Sequence, residues 1–258
     1  MKNKCVKDCF FMEKNYKLTI AYDGSRYNGW QRQLATQNTI QGKIEAVLSV
    51  LYGHNIEING SGRTDAGVHA KCQVANYKAS DDYTCDYIKD YLNTYLPEDI
   101  AITSVSEEDL RFHARLCVKK KIYEYRILNS NVSDVFNRKY VFQIKENLDV
   151  DKMKLAAAKL IGTHDFLGFS SLKKAKKSTV RTIYSIDIEK TDSQIIFTFC
   201  GDGFLYNMVR ILTGTLVEIG KGNEIDIDGI LNGLERCHAG ATLPAKGLCL
   251  ANVIYQED

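Results

Sequence analysis

Apolar and polar positions alternate from the start of the ordered pattern. Tyr16, Leu18, Ile20 and Tyr22 are interleaved with Lys17, Thr19 and Ala21, a period of two that predicts a strand. Gly24 and Gly29 then mark a loop. From Thr39 onward Ile40, Ile44, Val47, Leu48 and Leu51 recur at helical spacing, and Gly53 stops the run, so an amphipathic helix is expected there. The spacing next predicts a strand through Ile56 and Ile58 that runs into a glycine-rich loop. A strand over 73–78, a helix over 83–95 ending before Pro97, and a strand over 100–105 follow.

The second half has the same alternation of elements without the same residues. A strand is expected over 118–129. Asp149 is placed to cap a helix running to Ile161, with three consecutive alanines from Ala156 favouring it. Strands over 182–189 and 194–200 come next. Leu205, Met208, Val209, Leu212, Leu216 and Ile219 form a helical stripe that Gly220 and Gly222 end, and a strand over 247–255 closes the chain. No fixed-period repeat and no low-complexity segment interrupts this order.

Strands and helices mixed in this way predict an α+β fold. Three segments are expected: residues 1–13 as a flexible leader outside the fold, 14–110 as an N-terminal α+β domain holding the glycine-rich loop, and 111–258 as a C-terminal α+β domain. The leader has no adequate apolar stretch because Asp8 interrupts it, so it does not read as a signal peptide. Met12 stands just before the first alternating residues, and the pattern leaves translation from Met1 or from Met12 open. No apolar run reaches the roughly 18 residues needed to cross a membrane.

Composition narrows the class. At 258 residues, 45% hydrophobic and 26% charged, the chain has the makeup of an ordinary globular protein. Pro97 and Pro244 are its only prolines, which excludes a long proline-rich linker. Eight cysteines are scattered with no C-x-x-C pair, so they read as reduced thiols of a cytosolic protein, and the five histidines do not complete a zinc site. The formal net charge is only +2, but residues 80–109 hold nine acids and one base. The remainder therefore carries 33 bases against 23 acids. The acidic stretch is expected to face away from any polyanionic partner, leaving a basic side elsewhere.

The segment richest in candidate chemistry is 59–70, NGSGRTDAGVHA. Gly60, Gly62 and Gly67 permit sharp turns, Arg63, Thr64 and Asp65 lie within them, and His69 closes the loop. Pattern alone leaves three readings: a surface turn with Asp65 as a cap, a phosphate-binding loop, or a catalytic carboxylate held ionised by a nearby cation. Neither G-x-G-x-x-G nor G-x-x-x-x-G-K-[ST] is present, which weakens the second.

GRTDAGVHA resembles the catalytic-aspartate loop of the TruA-type tRNA pseudouridine synthases. Further resemblances run along the chain: YDGSRYNGWQRQ at 22–33, TIQ at 39–41, KKKIYEYRI at 119–127, GTHDF at 162–166, TVRTI at 179–183, GDGFLYNMVR at 201–210 and PAKGLCLANVIY at 244–255. Together they cover about 14–255. The resemblance implies two similar α/β halves with largely antiparallel sheets joined into one extended sheet, and an active cleft between them. It implies isomerisation of uridine to pseudouridine at positions 38, 39 and 40 of the tRNA anticodon stem-loop, in the cytoplasm, by a homodimer. No metal, nucleotide or other cofactor is implied, because nothing is oxidised and no group is transferred away.

Roles carry over by position. Asp65 matches the nucleophile, and Tyr123 matches the tyrosine that stacks on the target base and assists removal of the C5 proton. Alternation puts Tyr125 on the side of Tyr123, leaving one of the two for the core. Arg210 lies off the apolar stripe of its helix and matches the partner that keeps Asp65 ionised. Arg63 resembles the residue that helps extrude the uridine, and Leu248 a wall of the uracil pocket. Two basic clusters read, in this light, as grips on the RNA backbone: Arg111, Arg115, Lys119, Lys120 and Lys121, and Lys173, Lys174, Lys176, Lys177 with Arg181. An RNA-binding module lacking catalysis and a nucleotide-binding enzyme remain the rival readings.

Overall fold

The computed structural model describes residues 13–80, 83–172, 178–233 and 235–256. The predicted leader, apart from Glu13, and the lysine run 173–177 lie outside the described residues.

The first strand, β1 (Lys14–Tyr22), buries Tyr16, Leu18, Ile20 and Tyr22, as its alternation requires. Helix α1 (Ile40–Tyr52) begins where Thr39 accepts a hydrogen bond from the Gly42 amide and ends at Gly53 in a left-handed conformation (φ +70°). The strand expected at Ile56 and Ile58 shrinks to β2 (Asn59–Gly60). Both isoleucines are buried, but their amides donate to side chains of α1: Ile56 to Ser49 Oγ at 2.9 Å and Ile58 to Glu45 Oε1 at 3.0 Å. With these donors satisfied by the helix, no ladder forms there.

The chain continues through β3 (His69–Ala79), α2 (Cys85–Tyr95) and β4 (Ile100–Glu108). β5 (Lys120–Asn129) opens the second half, followed by β6 (Phe142–Ile144), α3 (Val150–Ala158) and β7 (Gly162–Asp165). Asp149 caps α3 as expected, accepting from the Lys152 amide, but the helix stops at Ala158 rather than Ile161. β8 (Val180–Lys190) and β9 (Gln194–Gly201) precede α4 (Met208–Gly220), a short α5 (Ile227–Leu231) and β10 (Leu248–Ile254). β6, β7 and α5 are too short to express a period, which is why the sequence pattern omits them.

All ten strands join one sheet in the order β4-β1-β3-β10-β5-β9-β8-β7, with β2 beside β3 and β6 beside β5. Pairing is mostly antiparallel, so the architecture is α+β as expected. The C-terminal strand β10 is the seam between the halves. It runs parallel to β3 (Cys249 opposite His69) and antiparallel to β5 (Leu248 opposite Tyr125, Leu250 opposite Tyr123). One apolar core continues from Tyr16 to Val253 across that seam. The acidic β4 forms an outer edge of the sheet, with Glu107 and Glu108 paired to Lys14 and Lys17 of β1. α4 is apolar almost all round and buried, so the core covers more of it than the single stripe the sequence pattern shows.

Candidate active site

The loop that carries Asp65 is held from several sides. Trp30 donates its backbone N–H to Thr64 O at 3.0 Å, and Tyr22 and Thr64 share a buried hydroxyl hydrogen bond of 2.8 Å. Ser61 donates its amide to Val74 O (2.7 Å) and its hydroxyl to Gln73 Oε1 (2.6 Å), while Gln73 Nε2 returns a bond to Gly62 O at 3.0 Å. Gly29 (φ +91°) allows the first loop to approach: a Cβ there would sit 2.7 Å from Thr64 O. The stretches 22–33 and 59–70, separate in the sequence, are therefore one packed unit.

Asp65 faces a cavity of about 730 Å³ between the halves. Its side chain retains 33% exposure, and Oδ2 stands 4.0 Å from Arg210 Nη1. Burial raises the Asp65 carboxyl above the ordinary aspartate range, and Arg210 opposes that rise. The expected cation is thus present, but desolvation is the larger effect. Arg210 is only 17% exposed in its side chain and is anchored by others: Nε donates to Leu243 O at 2.6 Å and Nη1 to Asn207 Oδ1 at 2.7 Å. Asn207 has φ +61°, the only non-glycine residue with positive φ among the described residues, and it immediately precedes α4. It also donates from Nδ2 to Ser171 Oγ at 3.0 Å.

Tyr123 and Tyr125 separate as alternation allowed. Tyr125 is fully buried and donates to Pro244 O at 2.7 Å, so it is the core member. Tyr123 lines the Asp65 cavity and packs edge-on against Phe204, with centroids 5.3 Å apart. Burial, and then the Asp65 charge, push its phenol upward, so Tyr123 is a neutral ring at physiological pH. Leu248, the first residue of β10, lines the same cavity. Arg63 is exposed at its mouth, with Nε donating to Gln31 Oε1 at 3.0 Å. The cavity therefore gathers Asp65, Arg63, Tyr123 and Leu248, with Arg210 reaching it only through its 4.0 Å approach to Asp65.

Other expected residues lie elsewhere. His69 begins β3 and faces a second cavity, with Nδ1 3.2 Å from Asp23 Oδ1. Lys119 is exposed, and Lys120 Nζ sits 5.3 Å from the Tyr184 ring centroid; neither lines the Asp65 cavity. Arg181 does line it. Lys173, Lys174, Lys176 and Lys177 fall outside the described residues. Lys121, only one member of a basic cluster in the sequence, reaches the cavity and donates to Ser61 O at 2.8 Å. Its alternation with Tyr123 was the available signal. Asn207 had none, since a left-handed turn before a helix leaves no period to read.

A family model described as tRNA pseudouridine synthase matches residues 18–116 and 156–256. The chain belongs to the tRNA pseudouridine synthase family. It is 49% identical over 243 residues to tRNA pseudouridine synthase A of Bacillus sp. (strain KSM-64), covering 93% of this chain and 99% of that protein. It is 48% identical over 244 residues to tRNA pseudouridine synthase A 2 of Bacillus cereus (strain ATCC 14579), covering 93% and 99%. With tRNA pseudouridine synthase A 1 of Clostridium tetani (strain Massachusetts / E88), identity is 49% over 244 residues, covering 94% and 100%. The enzyme is accordingly an isomerase that forms pseudouridine in tRNA. Among the described residues no helix is long and apolar enough to cross a membrane.

Proposed function

We propose that this enzyme isomerises uridines 38, 39 and 40 of the tRNA anticodon stem-loop, with Asp65 as its nucleophile. The observation that carries the assignment is the cavity in which Asp65 Oδ2 stands 4.0 Å from Arg210, beside Tyr123 and Leu248. The reaction breaks the N1–C1′ bond of uridine and forms a C5–C1′ bond; C5 releases a proton and N1 gains one, so atoms balance without a co-reactant. A carboxylate with exposed oxygen supplies the transient covalent partner, at the sugar C1′ or at the base. Tyr123 stacks on the uracil and Leu248 bounds it. Arg63, exposed at the mouth, helps take the place of the extruded uridine, offsetting the few kcal/mol that flipping a base costs. Basic side chains, namely Lys119, Lys120, Arg181 and Lys173, Lys174, Lys176 and Lys177, grip the backbone, and the enzyme works in the cytoplasm as a homodimer.

The test is incubation of the purified protein with unmodified tRNA, without added metal or nucleotide, followed by mapping of pseudouridine. Formation at 38–40 is expected in the native sequence. Asp65→Asn abolishes it while leaving tRNA binding mostly intact; an active Asn variant removes Asp65 from the role. Sedimentation at micromolar concentration reads the dimer directly.

A further inference from the structure

Four cations line the Asp65 cavity: Arg63, Arg115, Lys121 and Arg181. None of them stands within ion-pairing distance of an acid among the described residues. The acids on the same wall are Asp65 and Asp202, and Asp202 Oδ1 accepts from the Thr182 amide at 3.0 Å. The cavity is therefore net positive, although the whole chain is close to neutral.

Three of these cations converge from separate elements. Arg115 comes from the segment before β5, Lys121 from β5 and Arg181 from β8. Arg115 and Lys121 of the first basic cluster thus meet Arg181 of the second. Arg181 Nη1 donates to the carbonyls of Ser178 (3.0 Å) and Val180 (2.6 Å), which fixes its arm. The Arg115 guanidinium has no protein acceptor among the described residues. Lys121 points inward to Ser61 O, and a Cβ on Gly62 would come within 2.5 Å of its Nζ, so Gly62 leaves the space the ammonium fills.

Gathering like charges around a half-buried ammonium opposes folding unless an anion arrives. Burial, then Arg115 and Arg181, push the Lys121 ammonium down to about 8. RNA brings a phosphodiester with every nucleotide, and an extruded uridine carries its own phosphates to the mouth of the cavity it enters. Guanidinium forks and an ammonium are the donors that hold such an oxyanion.

We propose that Arg115, Lys121 and Arg181 form a seat for a phosphodiester adjoining the target uridine, and that Lys121 links this seat to the Asp65 loop through Ser61. The proposal rests on the reading of the Asp65 cavity as the active site. Lys121 is a positioning residue: the phosphate on one side and the Ser61 carbonyl on the other share its ammonium. Nucleotide entry thereby tightens the loop four residues before Asp65. A bound phosphate also stabilises the ammonium against Arg115 and Arg181. Asp65, Tyr123, Asp202, Tyr206 and Arg63 are the other titratable or charged groups lining the cavity that Lys121 enters.

The experiment measures pseudouridine formation and tRNA binding against salt for the native enzyme and for Lys121→Met, Lys121→Arg and Arg115→Met. Lys121→Met and Arg115→Met are each expected to raise KM for tRNA about tenfold, as loss of one charge-assisted contact does. Each lowers the slope of log KM against log salt by about 1. Lys121→Arg restores the slope. The native KM rises above about pH 8, and Lys121→Arg loses that rise. If Lys121→Met fails to fold by circular dichroism, Arg115→Met decides alone, because its guanidinium makes no bond among the described residues. Unchanged salt slopes with native KM in the folded variants overturn the seat. An active Asp65→Asn overturns the active-site reading instead, and the binding slopes still report on the phosphate contact.

Discussion

Arg210 Nη1 donates to Asn207 Oδ1 at 2.7 Å and reaches Asp65 Oδ2 only at 4.0 Å. The guanidinium is held by the protein and presented to the carboxylate, not clamped onto it. Among the described residues neither Asp65 oxygen is held in a short ion pair, which suits the proposed nucleophile, while the nearby positive charge still favours the anion. Orientation of Arg210 then falls to Asn207 and to the Leu243 carbonyl.

Arg210→Met removes that charge. Since Arg210 opposes the rise of the Asp65 carboxyl, its loss moves the acid limb of the rate profile to higher pH. At neutral pH kcat is expected to fall about a hundredfold, in the range of a lost electrostatic contact at a reacting group. A single-turnover pH profile checks it, and an unmoved acid limb contradicts the assigned role.

Asp65→Asn is expected to give an inactive protein that is no less stable at neutral pH. A carboxyl raised in the folded state binds its proton more tightly than in the unfolded chain, so its stabilising contribution is present below the unfolded value and lost as pH rises through the folded one. Above that window the anion opposes folding, and the neutral amide does not. Thermal melts at pH 7 and near pH 3 should show the advantage of the variant at the higher pH and its disappearance at the lower.

Asn207→Gly separates backbone from side chain. Glycine accepts φ +61° at no steric cost, whereas Asn207→Ala places a Cβ residue there at roughly 1 kcal/mol or more. The glycine variant is therefore expected to melt above the alanine variant. Both lose the acceptor of Arg210, so both shift the acid limb upward. Native pH behaviour in either would make Asn207 a helix-start residue only.

The two β5 tyrosines should respond oppositely. Tyr125→Phe leaves the Pro244 carbonyl without its donor and lowers stability by about 1 kcal/mol in denaturant unfolding. Tyr123→Phe keeps the ring against Phe204 and loses no hydrogen bond among the described residues, so stability is expected to hold. Tyr123→Ala removes the proposed surface for the uracil, and kcat/KM for tRNA is expected to drop by at least tenfold, consistent with one base–aromatic stack.

What the sequence determined by itself was local or contiguous. The period of two in β1 and β9, the Thr39-to-Gly53 frame of α1 and the Asp149 cap of α3 are decided by neighbours within a few residues. The loop 61–68 was legible as a chemical site because its glycines, arginine and aspartate are consecutive. The tertiary structure decided what depends on distant pairing. Ile56 and Ile58 gave their amides to α1 side chains, so a strand-like pattern made no strand. β10 inserted between β3 and β5, which put Leu248 into the cavity faced by Asp65. Lys121 parted from Lys120 because one step along β5 turns a side chain to the other face of the sheet, and Lys119 lies just before the strand. Arg210 became half-buried because α4 packs into the core on nearly every side. Periodicity reports which face of an element is apolar, but not which other element covers it; that choice is made by packing and hydrogen-bond satisfaction over the whole chain.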